Sequence, residues 1–133
     1  MPKYMLLMSY GLPDDLDVPP IEEWSAEDIA AHHRFQKDLG KELTDAGELL
    51  GGLGLDQPEK AKIVRWKGSG APAVTDGPFP ESKEFLAGYW LLECSAERAV
   101  EIAAKASAAP GPGGVPMDIP IEVRQAFDEP PEA

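Results

Sequence analysis

The sequence predicts an α+β domain in which two helices cover one face of an antiparallel sheet. Three observations carry that prediction. Residues 3–10, KYMLLMSY, and 88–94, GYWLLEC, are apolar on both alternating faces, as strands covered on both sides must be. A stretch of helical spacing follows each of them, from Ser25 to Ala46 and from Ser95 to Ser107. Short strand-like runs punctuated by Gly and Pro supply the remaining elements.

Taken in order, residues 3–10 form the first strand, central in its sheet. LPDDLDVPPIEE, residues 12–23, is Pro-rich and acidic without a sustained period, and is expected to be an exposed loop. Ser25 stands before Glu27 and Asp28 as a helix N-cap, and Gly47 supplies the stop. ELLGGLGL, residues 48–55, reads as a strand loosened by glycines. AKIVRWKG and APAVTDG flank the turn Ser69-Gly70 as a hairpin. PESKEFLAG, residues 80–88, is expected to be a turn or short helix before the strand at 88–94. Ser95 caps a second helix whose alanines permit close packing on the sheet. APGPGGVP, residues 109–116, is a loop, and IPIEVRQAF is the closing strand, confined by Pro120 to an edge or bulge at its start. The domain is expected over residues 1–127, with 128–133 a disordered tail.

Strand, helix, strand, hairpin, strand, helix, strand is the split β-α-β order of a ferredoxin-like domain. Both helices then lie on one face of the sheet, and the other face, which is also apolar, needs a cover. A homodimer packed sheet to sheet is the predicted cover.

Composition narrows the function. At 133 residues the chain makes one domain, burying about two-thirds of its unfolded surface. With 24 acidic against 12 basic side chains the net charge is −12, which argues against nucleic acid and anionic membranes as partners. The single cysteine, Cys94, excludes an intrachain disulfide and fits a cytoplasmic setting. It has no evident thiolate-stabilising neighbour and reads as packing. YMLLMSY is too short to span a bilayer.

Two residues stand out for chemistry. Projected at 100° per residue, the first helix places Ile29, His32, Phe35, Leu39, Leu43 and Ala46 on one arc, with His32 near its middle. A histidine there needs a hydrogen-bond partner. One option is a backbone carbonyl in the core. The other is Asp76, which precedes Gly77 and Pro78 at a stiffened corner and either caps its own turn or orients the imidazole as a general-base pair. Tyr10, His33 and Phe79 are further candidates for lining a cleft. Successive helical residues point about 100° apart, so the His32-His33 pair is a poor metal site. Asp28 and His32, at i and i+4, lack a third ligand, and no metal is expected. GGLG lacks the spacing and following helix of a dinucleotide loop, and no cofactor is expected. Arg124 is expected to face solvent or pair with Glu122.

KYMLLMSYG, AAHHRF with the following LG, AGELLGGLGL, VTDGPFPESKEFLAGYWLLEC and IEVRQ together resemble the YCII-related proteins, specifically their DGPF-domain branch. The resemblance spans nearly the whole chain. It implies a dimeric α/β barrel, two ferredoxin-like subunits joined through their sheets, similar in fold to muconolactone isomerase. It also implies a His-Asp pair in a cleft, with the histidine at His32 and the aspartate, by the DGPF motif, at Asp76. The branch resembles proteins encoded beside extracytoplasmic-function sigma factors. Two functions follow as expectations. One is cofactor-independent proton transfer on a small enolisable or lactone-like substrate. The other is a non-catalytic dimer that binds a small ligand or a regulatory protein.

Overall fold

The computed structural model describes residues 1–10, 19, 21–77 and 85–130. Its main sheet has four antiparallel strands, β1 (Lys3–Tyr10), β2 (Leu49–Gly54), β5 (Phe85–Glu93) and β6 (Glu122–Ala126), in the order β2-β5-β1-β6. The strands with two apolar faces, β1 and β5, take the two central places. Helix α1 (Ala26–Asp45) connects β1 to β2, and α2 (Ala96–Ser107) connects β5 to β6. This is the ferredoxin-like arrangement. Between β2 and β5, β3 (Lys62–Arg65) and β4 (Ala73–Asp76) form a separate hairpin and, among the described residues, pair only with each other.

The caps explain where α1 begins and ends. The Ser25 hydroxyl accepts the Asp28 N–H at 3.1 Å. At the other end Gly47, at φ +74°, donates to the Thr44 carbonyl, and Glu48 donates to that of Leu43. Those two bonds form a Schellman motif and turn the chain straight into β2. Ser95 caps α2 through the Arg98 N–H at 3.1 Å.

Both helices bury their apolar stripes on one face of the sheet. Leu6 from β1, Leu92 from β5, Leu43 from α1 and Ile102 from α2 are fully buried, with Leu39, Cys94, Ala99 and Ala103 around them. Small side chains at 99 and 103 let α2 approach the sheet closely. At the edge, Gly52 lies under Trp90. A Cβ there would sit 2.6 Å from the Tyr89 carbonyl oxygen and 2.7 Å from the Trp90 ring, so only glycine fits without a shift.

Strand alternation turns Met5 and Leu7 of β1 and Tyr89 and Leu91 of β5 to the opposite face, where Met5 stands across from Leu91 and Leu7 across from Tyr89. Leu53 continues that patch on β2, opposite Tyr89. On β6, Arg124 and Glu122 stand beside Met5 and Leu7 and pair with each other at 3.6 Å. The open face is therefore apolar in its middle and charged on one side.

Three local expectations need correction. Residues 85–87 extend β5 rather than forming a turn or helix, because they pair with the end of β1 and the segment after β2. Ile21–Glu23 is a 3-10 turn rather than open loop. The hairpin strands end at Arg65 and Ala73, a wider connection than Ser69-Gly70 alone. Residues 80–84, where the turn or helix was expected to start, lie outside the described residues, as do residues 12–18 of the acidic loop and 131–133 of the tail.

Candidate functional site around His32

The entry to α1 builds the site. Trp24 is buried, and its indole N–H donates to the Pro19 carbonyl at 2.9 Å, which fixes the ring against the first turns of the helix. His32 meets that ring edge-on, with centroids 5.4 Å apart and planes at 87°. The partner of His32 is a backbone carbonyl: Nδ1 lies 3.0 Å from the Pro110 oxygen. A carbonyl only accepts, so Nδ1 carries the proton and the neutral ring presents its lone pair at Nε2. Among the described residues Nε2 has no hydrogen-bond partner, and no buried side-chain nitrogen or oxygen is left unpaired.

One turn earlier on the same helix face, the Asp28 carboxylate accepts the Gly113 N–H at 3.2 Å. Asp28 and His32 thus grip the 110–114 loop at two points. That loop is itself folded: Pro110 bridges Pro116, Gly111 donates to the Val115 carbonyl at 2.8 Å, and Met117 donates to that of Ala109 at 3.0 Å. The sequence offered the i, i+4 spacing of Asp28 and His32, which suits a loop clamp as well as it suits two metal ligands. It gave no sign that the Pro-Gly segment was the clamped element.

Burial lowers the His32 pKa below its ordinary value, outweighing the Pro110 bond that raises it, and neighbouring His33 adds a smaller lowering. The half-buried imidazole is therefore neutral at pH 7. His33 is exposed, its ring 6.0 Å from that of His32 and tilted by 58°.

Asp76 is placed differently. It ends β4 with its side chain 79 % exposed and forms an ion pair with Lys62, directly across the hairpin. That bond lowers its pKa. The Gly77 N–H closes the hairpin base on the Ala61 carbonyl at 2.7 Å. The hydrogen bonds of His32 and Asp76 thus go to Pro110 and Lys62 respectively, and the structure does not record one between the two. Tyr10 ends β1, where its backbone pairs with Phe85. Phe79 lies outside the described residues.

A second polar cluster went unread in the sequence. Arg98 of α2 binds both carboxylate oxygens of Glu48, through Nε at 2.8 Å and a terminal nitrogen at 3.0 Å, and reaches Glu101 at 3.1 Å. The Arg98 hydrogen bonds lower the Glu48 pKa. Glu48 is placed by the Schellman turn and its carbonyl accepts the Glu93 N–H at 2.8 Å, so the pair ties the end of α1 to the start of α2. Cys94 lies in the core close to this pair, and burial pushes its thiol pKa up. It is packing, as its apolar neighbours predict.

Two helices packed on one face of a four-stranded antiparallel sheet define a ferredoxin-like α+β domain, whose first helix carries a histidine with its tautomer fixed by a backbone carbonyl. Residues 3–116 match the YCII-related domain, and the chain belongs to that family. A relative from Rhizobium meliloti (strain 1021), named uncharacterized protein R00369, is 33 % identical over 72 residues, which cover 54 % of this chain. The match spans 57 % of that protein's length. Among the described residues no helix is long and apolar enough to cross a membrane.

Proposed function

We propose that this chain is a member of the DGPF branch that works as a homodimer joined through its open sheet face, and that it moves a proton on a small enolisable or lactone-like molecule without a cofactor. The observation behind the reading is the fixed tautomer of His32. A half-buried, neutral imidazole with Nδ1–H held by a carbonyl keeps its basic nitrogen in one place. In the proposed step Nε2 takes a proton from the carbon next to a carbonyl, leaving an enolate, and returns it to that carbon or, where a C=C bond is conjugated with the enolate, to the γ carbon at the far end of the conjugated system as the double bond shifts. The orienting part that the resemblance gives to Asp76 falls in this chain to Pro110. His33, close to His32, and Tyr10 and Phe79 are proposed to line the approach.

The alternative is a binding dimer with a regulatory role beside an extracytoplasmic-function sigma factor, in which His32 only anchors the 110–114 loop. The double grip of Asp28 and His32 on that loop favours it. His32→Asn separates the two, because the asparagine amide can donate to Pro110 as Nδ1 does while nothing replaces Nε2. The assay is deuterium uptake from D2O, followed by NMR, into a panel of small keto acids, lactones and enol lactones. Proton transfer by His32 requires uptake into at least one of them with the wild type and none with a His32→Asn chain that circular dichroism shows to be folded at the assay temperature. Equal uptake by both proteins, or no uptake at all, gives the site to the anchor.

A further inference from the structure

The β3–β4 hairpin is a misfit in this chain. An isolated two-stranded hairpin is barely stable in water, and among the described residues this one pairs with no other strand. Val64 and Val74, directly opposite each other, are 60 % and 55 % exposed, and Trp66, just past β3, is 85 % exposed. Its charge is equally out of place. Residues 60–77 hold four of the chain's 12 basic side chains, Lys60, Lys62, Arg65 and Lys67, all exposed, and only one of its 24 acidic ones, Asp76. This basic, apolar-striped arm thus contrasts with the strongly acidic remainder of the chain. The apolar surface does not stop at the arm: Leu53 and Leu55 before it and Leu86 after it are exposed as well.

We infer that the β3–β4 arm docks on a second copy of this chain, with Trp66 as its anchor and the acidic body of that copy as the complement to Lys60, Arg65 and Lys67. The charge favours this occupant. Every copy that offers a basic arm also offers an acidic body, so two identical chains satisfy each other reciprocally, as a two-fold pair requires. Continuity favours it as well. The arm leaves β2 and returns into β5, and Leu53 of β2 and Leu91 of β5 belong to the open face proposed above as the dimer interface. The arm extends that interface, and the inference rests on that dimer. Tryptophan and arginine, adjacent here at Trp66 and Arg65, are among the side chains enriched at interface hot spots.

The test uses the full chain in four forms: wild type, Trp66→Ala, the charge reversal Arg65→Glu with Lys67→Glu, and Leu91→Arg on the open face. Sedimentation over a range of concentrations gives the dimer constant, circular dichroism checks folding, and hydrogen exchange follows the amides of residues 62–76. The expected results are a wild-type dimer, a folded Leu91→Arg monomer whose arm amides exchange faster, and a loss of about tenfold or more in dimer affinity for both arm variants. The charge-reversed arm should also lose the weakening by salt that the wild-type dimer shows. A wild-type chain that stays single at micromolar protein overturns the sheet-face dimer and the arm with it. A wild-type dimer matched by both arm variants, with arm exchange unchanged in Leu91→Arg, overturns the arm alone. So does an arm whose variants dimerise normally but lose binding to phosphatidylserine vesicles or to single-stranded DNA.

Discussion

Replacing His32 by alanine and by asparagine tests the site at the level of stability. His32→Ala removes two things: the donor to the Pro110 carbonyl and the edge-on contact with Trp24. Leaving a partly buried carbonyl unpaired costs about 1–2 kcal/mol, and the aromatic contact contributes about 0.5–1.5 kcal/mol. The alanine variant should therefore lose about 2–3 kcal/mol. For a domain of this size each kcal/mol moves the melting temperature by about 3–6 °C, so the expected drop is about 10 °C. Asparagine restores the donor and should recover about half of it. The pH dependence gives an independent check. The folded chain holds the His32 pKa below the ordinary value of 6.5, so the unfolded chain takes up the proton first as pH falls. The stability that the neutral ring provides is complete above 6.5 and is lost below it, down to the folded pKa, at no more than about 1.4 kcal/mol per pH unit. Asparagine has no such loss, so its deficit against the wild type should narrow between pH 7 and pH 5. Thermal melts at fixed protein concentration across that range measure both effects. Equal melting of the alanine and asparagine variants, or a deficit that stays constant with pH, would refute the site as described.

Three further perturbations address the frame around it. Gly52→Ala puts a methyl group against the Tyr89 carbonyl and the Trp90 ring, and should destabilise by about 1–3 kcal/mol in urea unfolding, although alanine suits a strand better than glycine. Leu92→Ala empties a fully buried position between both helices and should lose about 2–5 kcal/mol by the same measurement. Arg98→Lys should be about as destabilised as Arg98→Met, because one ammonium cannot span both oxygens of Glu48. Since the Arg98 bonds hold the Glu48 pKa below its ordinary 4.5, their stabilisation is present above that value and fades as pH falls through the lower folded one, so the wild-type advantage over Arg98→Met should shrink in acid melts.

The parts of the fold legible in the sequence are those set by local or periodic signals. The two-faced apolar runs of β1 and β5 mark central strands, Ser25 and Ser95 mark helix starts, and Gly47 marks a stop because the Schellman turn there needs a positive φ. The site was legible only by half. Helical spacing puts His32 on the core-facing arc, but its partner is 78 residues away, in a loop whose Pro and Gly residues carry no hydrophobic period to place it. Asp76 looked held for chemistry because Gly77 and Pro78 stiffen the chain after it. Gly77 instead closes the base of a hairpin, and the ion-pair partner of Asp76, Lys62, stands across the ladder at a register the turn residues do not set. The Arg98–Glu48 pair was invisible for a similar reason: each residue has an ordinary surface composition around it, and only the sharp exit from α1 brings them together.

The charge distribution links the arm to the rest of the molecule. A chain with net charge −12 pushes identical copies apart, so a dimer made by the apolar sheet face alone must form against that repulsion. Concentrating a third of the basic side chains on one exposed hairpin changes the balance, because each arm can bring its positive charge to the other copy's acidic surface while the two bodies keep their distance elsewhere. Exposed apolar side chains on the arm then gain burial only when that approach occurs, which makes the electrostatic and hydrophobic contributions depend on the same encounter. Salt should for that reason weaken the attraction that seats Trp66 more than it eases the repulsion between the bodies, so the wild-type dimer loosens with salt, whereas the charge-reversed arm leaves only the repulsion, which salt relieves.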